Sequence, residues 1–184
     1  MKKLLVVAAA TAILCVGLAV PQAQAASAYP TRKGVILVTT DPWVSSWGVN
    51  FFTGFGHSAT IYNKDYVVES VSKGVVKGRN DWKSSRKKVT AVTTYGTTAA
   101  QDAATADWAY GKIGKPYNFN FYDMGNRSKF YCSHLIWAAY KDKYKLDLNT
   151  SQYDINVLGV KKSAIAPTEL ISTSKTYTVY TQSR

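Results

Sequence analysis

Metal-ligating side chains are scarce in this chain, with two cysteines and two histidines in 184 residues. They have no zinc-finger or ribbon spacing, and nothing in the sequence calls for a metal or any other cofactor. Acidic residues are also few, 11 against 23 lysines and arginines, which leaves a formal net charge of +12. Those basic residues form no stripe or helix face, so no nucleic-acid partner is expected. Internal repeats, proline-rich linkers and long charge runs are lacking as well, and nothing marks off a second folded domain.

The one long apolar run is N-terminal. Lys2 and Lys3 precede it, it extends from Leu4 to Val20, Pro21 breaks it, and Ala23-Gln24-Ala25 supplies small residues for cleavage. Its length approaches that of a membrane span, but the alanines and the cleavage site read as a secretory signal peptide over residues 1–25. Residues 26–184 are then a single exported domain, secreted or associated with the cell wall. Its charge is +10 once Lys2 and Lys3 are lost. Outside a cell, such a charge faces anionic wall polymers and membrane headgroups. Cys15 leaves with the signal, so Cys132 becomes a lone cysteine. It is buried and inert, paired with another chain, or reactive.

The element pattern is α+β. Residues 34–40, GVILVTT, read as a first strand. Residues 57–62 and 66–71 read as a hairpin around Asn63-Lys64-Asp65, and residues 87–95 as a further strand. Thr98 and Gln101 form a capping box for an alanine-rich helix that runs to about Ile113 and stops at Gly114. Residues 115–129 are irregular. A helix carrying Cys132 follows, with Leu135, Ile136, Ala139 and Tyr140 on its apolar side, and residues 176–181 alternate as a last strand. Trp43, Trp47 and Phe51 recur every four residues, as on a short helix. They suit core packing or the lip of a substrate groove.

Cys132 stands where its helix begins, and a helix N-terminus favours a thiolate. A nucleophilic thiol also needs an imidazole. His134 lies two residues on, about 200° around a helix, so its side chain diverges from Cys132. His57, at the start of the hairpin, is the other choice. A base in turn needs a group to orient it. With a three-residue hairpin loop, Ala59 faces Glu69 and Glu69 becomes a diagonal neighbour of His57. A two-residue loop would put Glu69 on the opposite face. The sequence leaves that parity open.

GHSATIY, VVES, IGKPYNF and YCSHLIWAAY, in that order, resemble the permuted branch of the NlpC-type papain-like cysteine hydrolases, the YiiX/YebB-like proteins. In unpermuted relatives the cysteine helix precedes the histidine strand. The resemblance spans about residues 34–170. It implies an α+β papain-like fold, an antiparallel sheet packed on the nucleophile-bearing helix. It also implies Cys132 as nucleophile, His57 as base, Glu69 as the orienting residue and Tyr117 as a wall of the pocket. Relatives usually carry an acidic residue at the place of His134, so altered surface or substrate contacts are expected there. The implied chemistry is hydrolysis of an amide, or of an ester. The expected substrate is cell-wall peptide material, with an acyl or lipid substrate, or a non-catalytic surface-binding module, as alternatives.

Overall fold

The computed structural model describes residues 28–41 and 56–184. The signal-peptide reading and the aromatic stretch 43–55 lie outside the described residues. In chain order the elements are β1 (Ile36–Thr39), β2 (His57–Ile61), β3 (Tyr66–Val71), β4 (Gly74–Arg79), α1 (Trp82–Ser85), β5 (Lys88–Thr94), α2 (Ala99–Tyr110), α3 (Cys132–Tyr144), β6 (Ile155–Val157), β7 (Val160–Lys162), α4 (Glu169–Ser172) and β8 (Thr176–Ser183). The architecture is α+β, as the sequence pattern indicates.

Six strands form one sheet in the order β4-β3-β2-β1-β5-β8, and every neighbouring pair is antiparallel. The central strand β1 is buried along its whole length, an apolar Ile36-Leu37-Val38 run closed by Thr39, because both of its faces are covered. Ile36 and Val38 join one core with Val68, Val92, Leu135, Ile136 and Tyr140. Val35 and Leu37 join a second core on the other face, with Ala59, Ile61, Val67, Ala91 and Trp82. Helix α3 packs on the first of these faces, against β2 and β3.

The capping box at Thr98 forms as the sequence predicts, with Gln101 N–H donating to Thr98 Oγ1 and Thr98 N–H to Gln101 Oε1. Helix α2 ends at Tyr110, three residues earlier than expected, and Gly111 to Gly114 continue as turns. Asp102 in its first turn is buried and accepts from Arg32, Thr93 and Tyr140, which ties α2 to the sheet and to α3. Strand β4, the short helices α1 and α4, and the β6–β7 hairpin are not apparent from sequence periodicity. Each is three to six residues long or interrupted by glycine.

Candidate active site

The hairpin parity left open by the sequence is resolved by the strand register. Ala59 pairs with Glu69, Thr60 with Val68 and Ile61 with Val67, so His57 and Glu69 lie diagonally on one face of the sheet. His57 Nε2 and Glu69 Oε2 are 2.6 Å apart. His57 is almost completely buried, and the Trp82 ring lies 5.7 Å from it, centroid to centroid, at 33°. Two glycines make this arrangement possible. Gly56, immediately before His57, has φ +73°, and a Cβ there would overlap the Thr39 carbonyl. Gly78 of β4 lies beside the Glu69 carboxylate, where a Cβ would overlap Oε1 and stand 2.9 Å from Cδ.

Cys132 is brought to His57 by the extended segment ahead of α3. Phe130 N–H donates to Pro116 O, and Asn118 N–H donates to Phe130 O, so residues 116–118 run beside residue 130 like a short parallel pair. Ser70 Oγ of β3 also donates to Phe130 O, at 2.6 Å. On the far side, Ser133 Oγ donates to Ile165 O, and Ile165 N–H donates to Tyr131 Oη. Tyr131 is extended, at φ −97° and ψ 174°, and helix α3 begins at Cys132. As the first helical residue, Cys132 has no intrahelical acceptor for its N–H.

The electrostatics of the pair follow from these contacts. Burial opposes charge on both groups, but their mutual hydrogen bond and attraction prevail. His57 is desolvated, yet hydrogen bonds to Cys132 and Glu69 and their negative charges raise its pKa to about 9. Burial would push the Cys132 thiol up, yet His57 and the backbone amides of Ser58 and Ser133 bring it below its ordinary value. Both shifts favour a thiolate–imidazolium pair. With Nε2 committed to Glu69, Nδ1 is the nitrogen left for the sulfur.

The structure brings together all four residues singled out in the sequence. Tyr117 lies close enough to Cys132 that burial, and then the charge of Cys132, raise its phenol pKa. Its ring packs on Phe119 and Phe121, and Phe121 in turn packs on Tyr131. Ser58, Trp82 and Gly78 escaped the sequence reading. The only signal for Gly78 was a glycine inside a short β-rich run, a mark of close approach by a neighbouring group.

His134 does turn away from Cys132, but it is not a surface residue. It is fully buried among Phe130, Tyr131 and Trp137, with Nε2 3.0 Å from the Met124 carbonyl oxygen and 3.4 Å from Arg127 Nη1. The expected altered surface contact is therefore replaced by a core histidine. Desolvation, helped by the Arg127 charge, lowers its pKa to about 4. A neutral imidazole fits beside Arg127, whose guanidinium is already held by both oxygens of Asp142 at 2.8 Å.

A model of the permuted papain-like amidases, the YaeF/YiiX or C92 family, matches residues 34–180. The chain belongs to this family. The family is one of papain-like amidases, and amide bonds are its substrate class. Among curated proteins it resembles the uncharacterized protein YycO of Bacillus subtilis (strain 168), at 30% identity over 138 residues, 72% of this chain and 53% of that one. The chain thus spans about half the length of the curated relative it matches. Among solved structures it superposes on the metalloprotein yiiX of Escherichia coli O157:H7. There the TM-score is 0.62 and the identity 17%, over 84% of this chain and 99% of that one, a likeness of fold. Among the described residues, no three His, Cys, Asp or Glu side chains group to hold a metal ion.

Proposed function

We propose that this protein is an exported amidase working through a Cys132–His57–Glu69 triad, with peptide amides of cell-wall material as substrate. The observation that supports this most is His57 held between Glu69 and a depressed-pKa Cys132 at a helix start. Two buried ionisable groups stabilised as an ion pair are costly for a merely structural role.

In this mechanism the Cys132 thiolate adds to the substrate carbonyl. The Cys132 N–H at the free end of α3 faces the developing oxyanion. The His57 imidazolium gives its proton to the departing amine, which leaves a thioester on Cys132. His57, now neutral, takes a proton from water as the water attacks. The acid is released, and the imidazolium–thiolate pair is restored. Glu69 keeps the Nε2–H oriented and balances the imidazolium charge. Tyr117 walls the pocket beside the sulfur.

The test is incubation with purified wall peptides and, separately, with acyl lipids, with products read by mass spectrometry. A water-addition product from the wall peptides, absent with Cys132→Ser, supports the proposal. Turnover of neither substrate class by the folded protein would remove it. A second reading, acyl hydrolysis or transfer, draws on Phe119 and Tyr122, exposed aromatics on the loop that carries Tyr117. Product from the lipid arm alone would select it. The signal-peptide reading rests on the N-terminal run, and an N-terminus at Met1 in material recovered outside the cell would contradict that reading.

A further inference from the structure

The β6–β7 hairpin presents an unusual surface. All six of its strand residues are exposed. Its register pairs Ile155 with Lys162, Asn156 with Lys161 and Val157 with Val160. Ile155, Val157, Val160 and Lys162 therefore share one face, with Asn156 and Lys161 on the other. The turn is Leu158-Gly159, and both residues have positive φ, 50° and 80°. Two-residue turns of this kind favour asparagine or glycine at the first position, because a branched bulky side chain is strained there. Here that position holds a leucine that is 99% exposed, flanked by Val157 at 47% and Val160 at 54%. Folding gains nothing from either feature, since the leucine strains the turn and buries no surface.

The charges beside this apolar tip are basic at the surface. Lys161 is 65% exposed and pairs at 3.0 Å with Asp154, whose side chain is 9% exposed, so the cation lies outermost. Lys162 extends next to Ile155 and Val157 into a cleft of about 370 Å³, together with Tyr122, Asn120 and Asp123. The chain as a whole carries +12. No helix among the described residues is long and apolar enough to cross a membrane.

We infer that the hairpin is a membrane-docking element. Leu158, Val157 and Val160 enter the headgroup–acyl boundary, and Lys161 and Lys162 meet anionic lipid headgroups. An apolar tip with one lysine beside it on each face of the hairpin matches the two parts of a lipid interface. A purely polyanionic partner would use the lysines and leave Leu158 in water. The cleft shared with Tyr122 puts the docked face beside the loop that carries Tyr117. The inference does not rest on the triad and holds whichever bond Cys132 cleaves.

The test is co-sedimentation with phosphatidylcholine vesicles that contain about 30% phosphatidylglycerol, and with phosphatidylcholine alone. The proteins are wild type, Leu158→Asn and Lys161→Gln/Lys162→Gln, with thermal melting in parallel. Wild type should bind the anionic vesicles more tightly than the neutral ones. Leu158→Asn should weaken that binding by about 10- to 100-fold, the factor carried by one buried leucine side chain. Its melting temperature should hold or rise, because asparagine suits the turn. The double lysine variant should lose the preference for anionic vesicles. Wild-type failure to bind anionic vesicles overturns the inference. So does a Leu158→Asn variant that binds like wild type, including the case where only the lysines matter, and so does tip-dependent self-association without vesicle binding.

Discussion

Replacing Gly78 with alanine should disable the site without touching any residue of the triad. The new Cβ would overlap Glu69 Oε1 and stand 2.9 Å from Cδ, where ordinary contact begins at 3.4 Å. The flexible carboxyl end gives way first, since Gly78 has no positive φ and β4 can keep its pairing with β3. A retreat of about 1 Å stretches the 2.6 Å contact with His57 to the limit of a hydrogen bond. Glu69 raises the His57 pKa, so its withdrawal lowers it. The weakened imidazolium then stabilises the thiolate less, and the Cys132 pKa rises toward its ordinary value. A charge-assisted hydrogen bond is worth roughly 1.5–3 kcal/mol, and each pH unit corresponds to about 1.4 kcal/mol. The acid limb of Cys132 reactivity should therefore move up by about one to two pH units. The assay is the rate of iodoacetamide alkylation at Cys132 against pH, with a thermal melt to show that the variant is folded. A folded Gly78→Ala protein with the wild-type profile would refute the geometry on which Glu69's role depends.

Glu69→Gln should move the same limb in the same direction while keeping the fold. It should lower amide turnover by a factor on the order of 10 to 10⁴, as other orienting carboxylates do. Combined with Gly78→Ala it should add little, because both act on one contact, and full additivity in alkylation rates would show that they act separately. His134 should make the protein acid-sensitive. Its folded pKa, about 4, lies below the ordinary 6.5, so its contribution is present above pH 6.5 and is lost as pH falls through about 4. The loss is on the order of 3 kcal/mol for this fully buried group. His134→Gln keeps a donor for the Met124 carbonyl and should flatten that part of the curve in urea unfolding from pH 7 to 4. An unchanged slope would mean that another group titrates there.

What the sequence could reveal followed from local chemistry. Strand β1 was legible because six consecutive apolar or β-branched residues, Val35 to Thr40, have few alternatives. The α2 start was legible because a Thr-x-x-Gln box satisfies its own backbone donors. Cys132 could be placed at a helix start because the apolar spacing of Leu135, Ile136 and Ala139 begins just after it. The relation of His57 to Glu69 was half legible. The residues were evident, but their shared face depended on a loop parity that only the Ala59–Glu69 register settles. Gly78, Trp82 and Ser58 act on the site through chain segments remote in sequence, and no periodicity reports such contacts. His134 was legible in direction but not in burial, because helix geometry tells which way a residue points and not what covers it. Here the cover is the 118–130 loop, through Met124 and Arg127.

The central claim is that Cys132 is an activated nucleophile dependent on His57. Its most direct test is the alkylation rate of Cys132 in the folded protein at pH 7, located by peptide mapping, for wild type and His57→Ala. Wild type should react as a thiolate well below the ordinary thiol range, and His57→Ala should slow the reaction by at least about tenfold at that pH. Equal rates in the two folded proteins, or labelling of wild type only after unfolding, would mark Cys132 as a buried structural thiol and contradict the account.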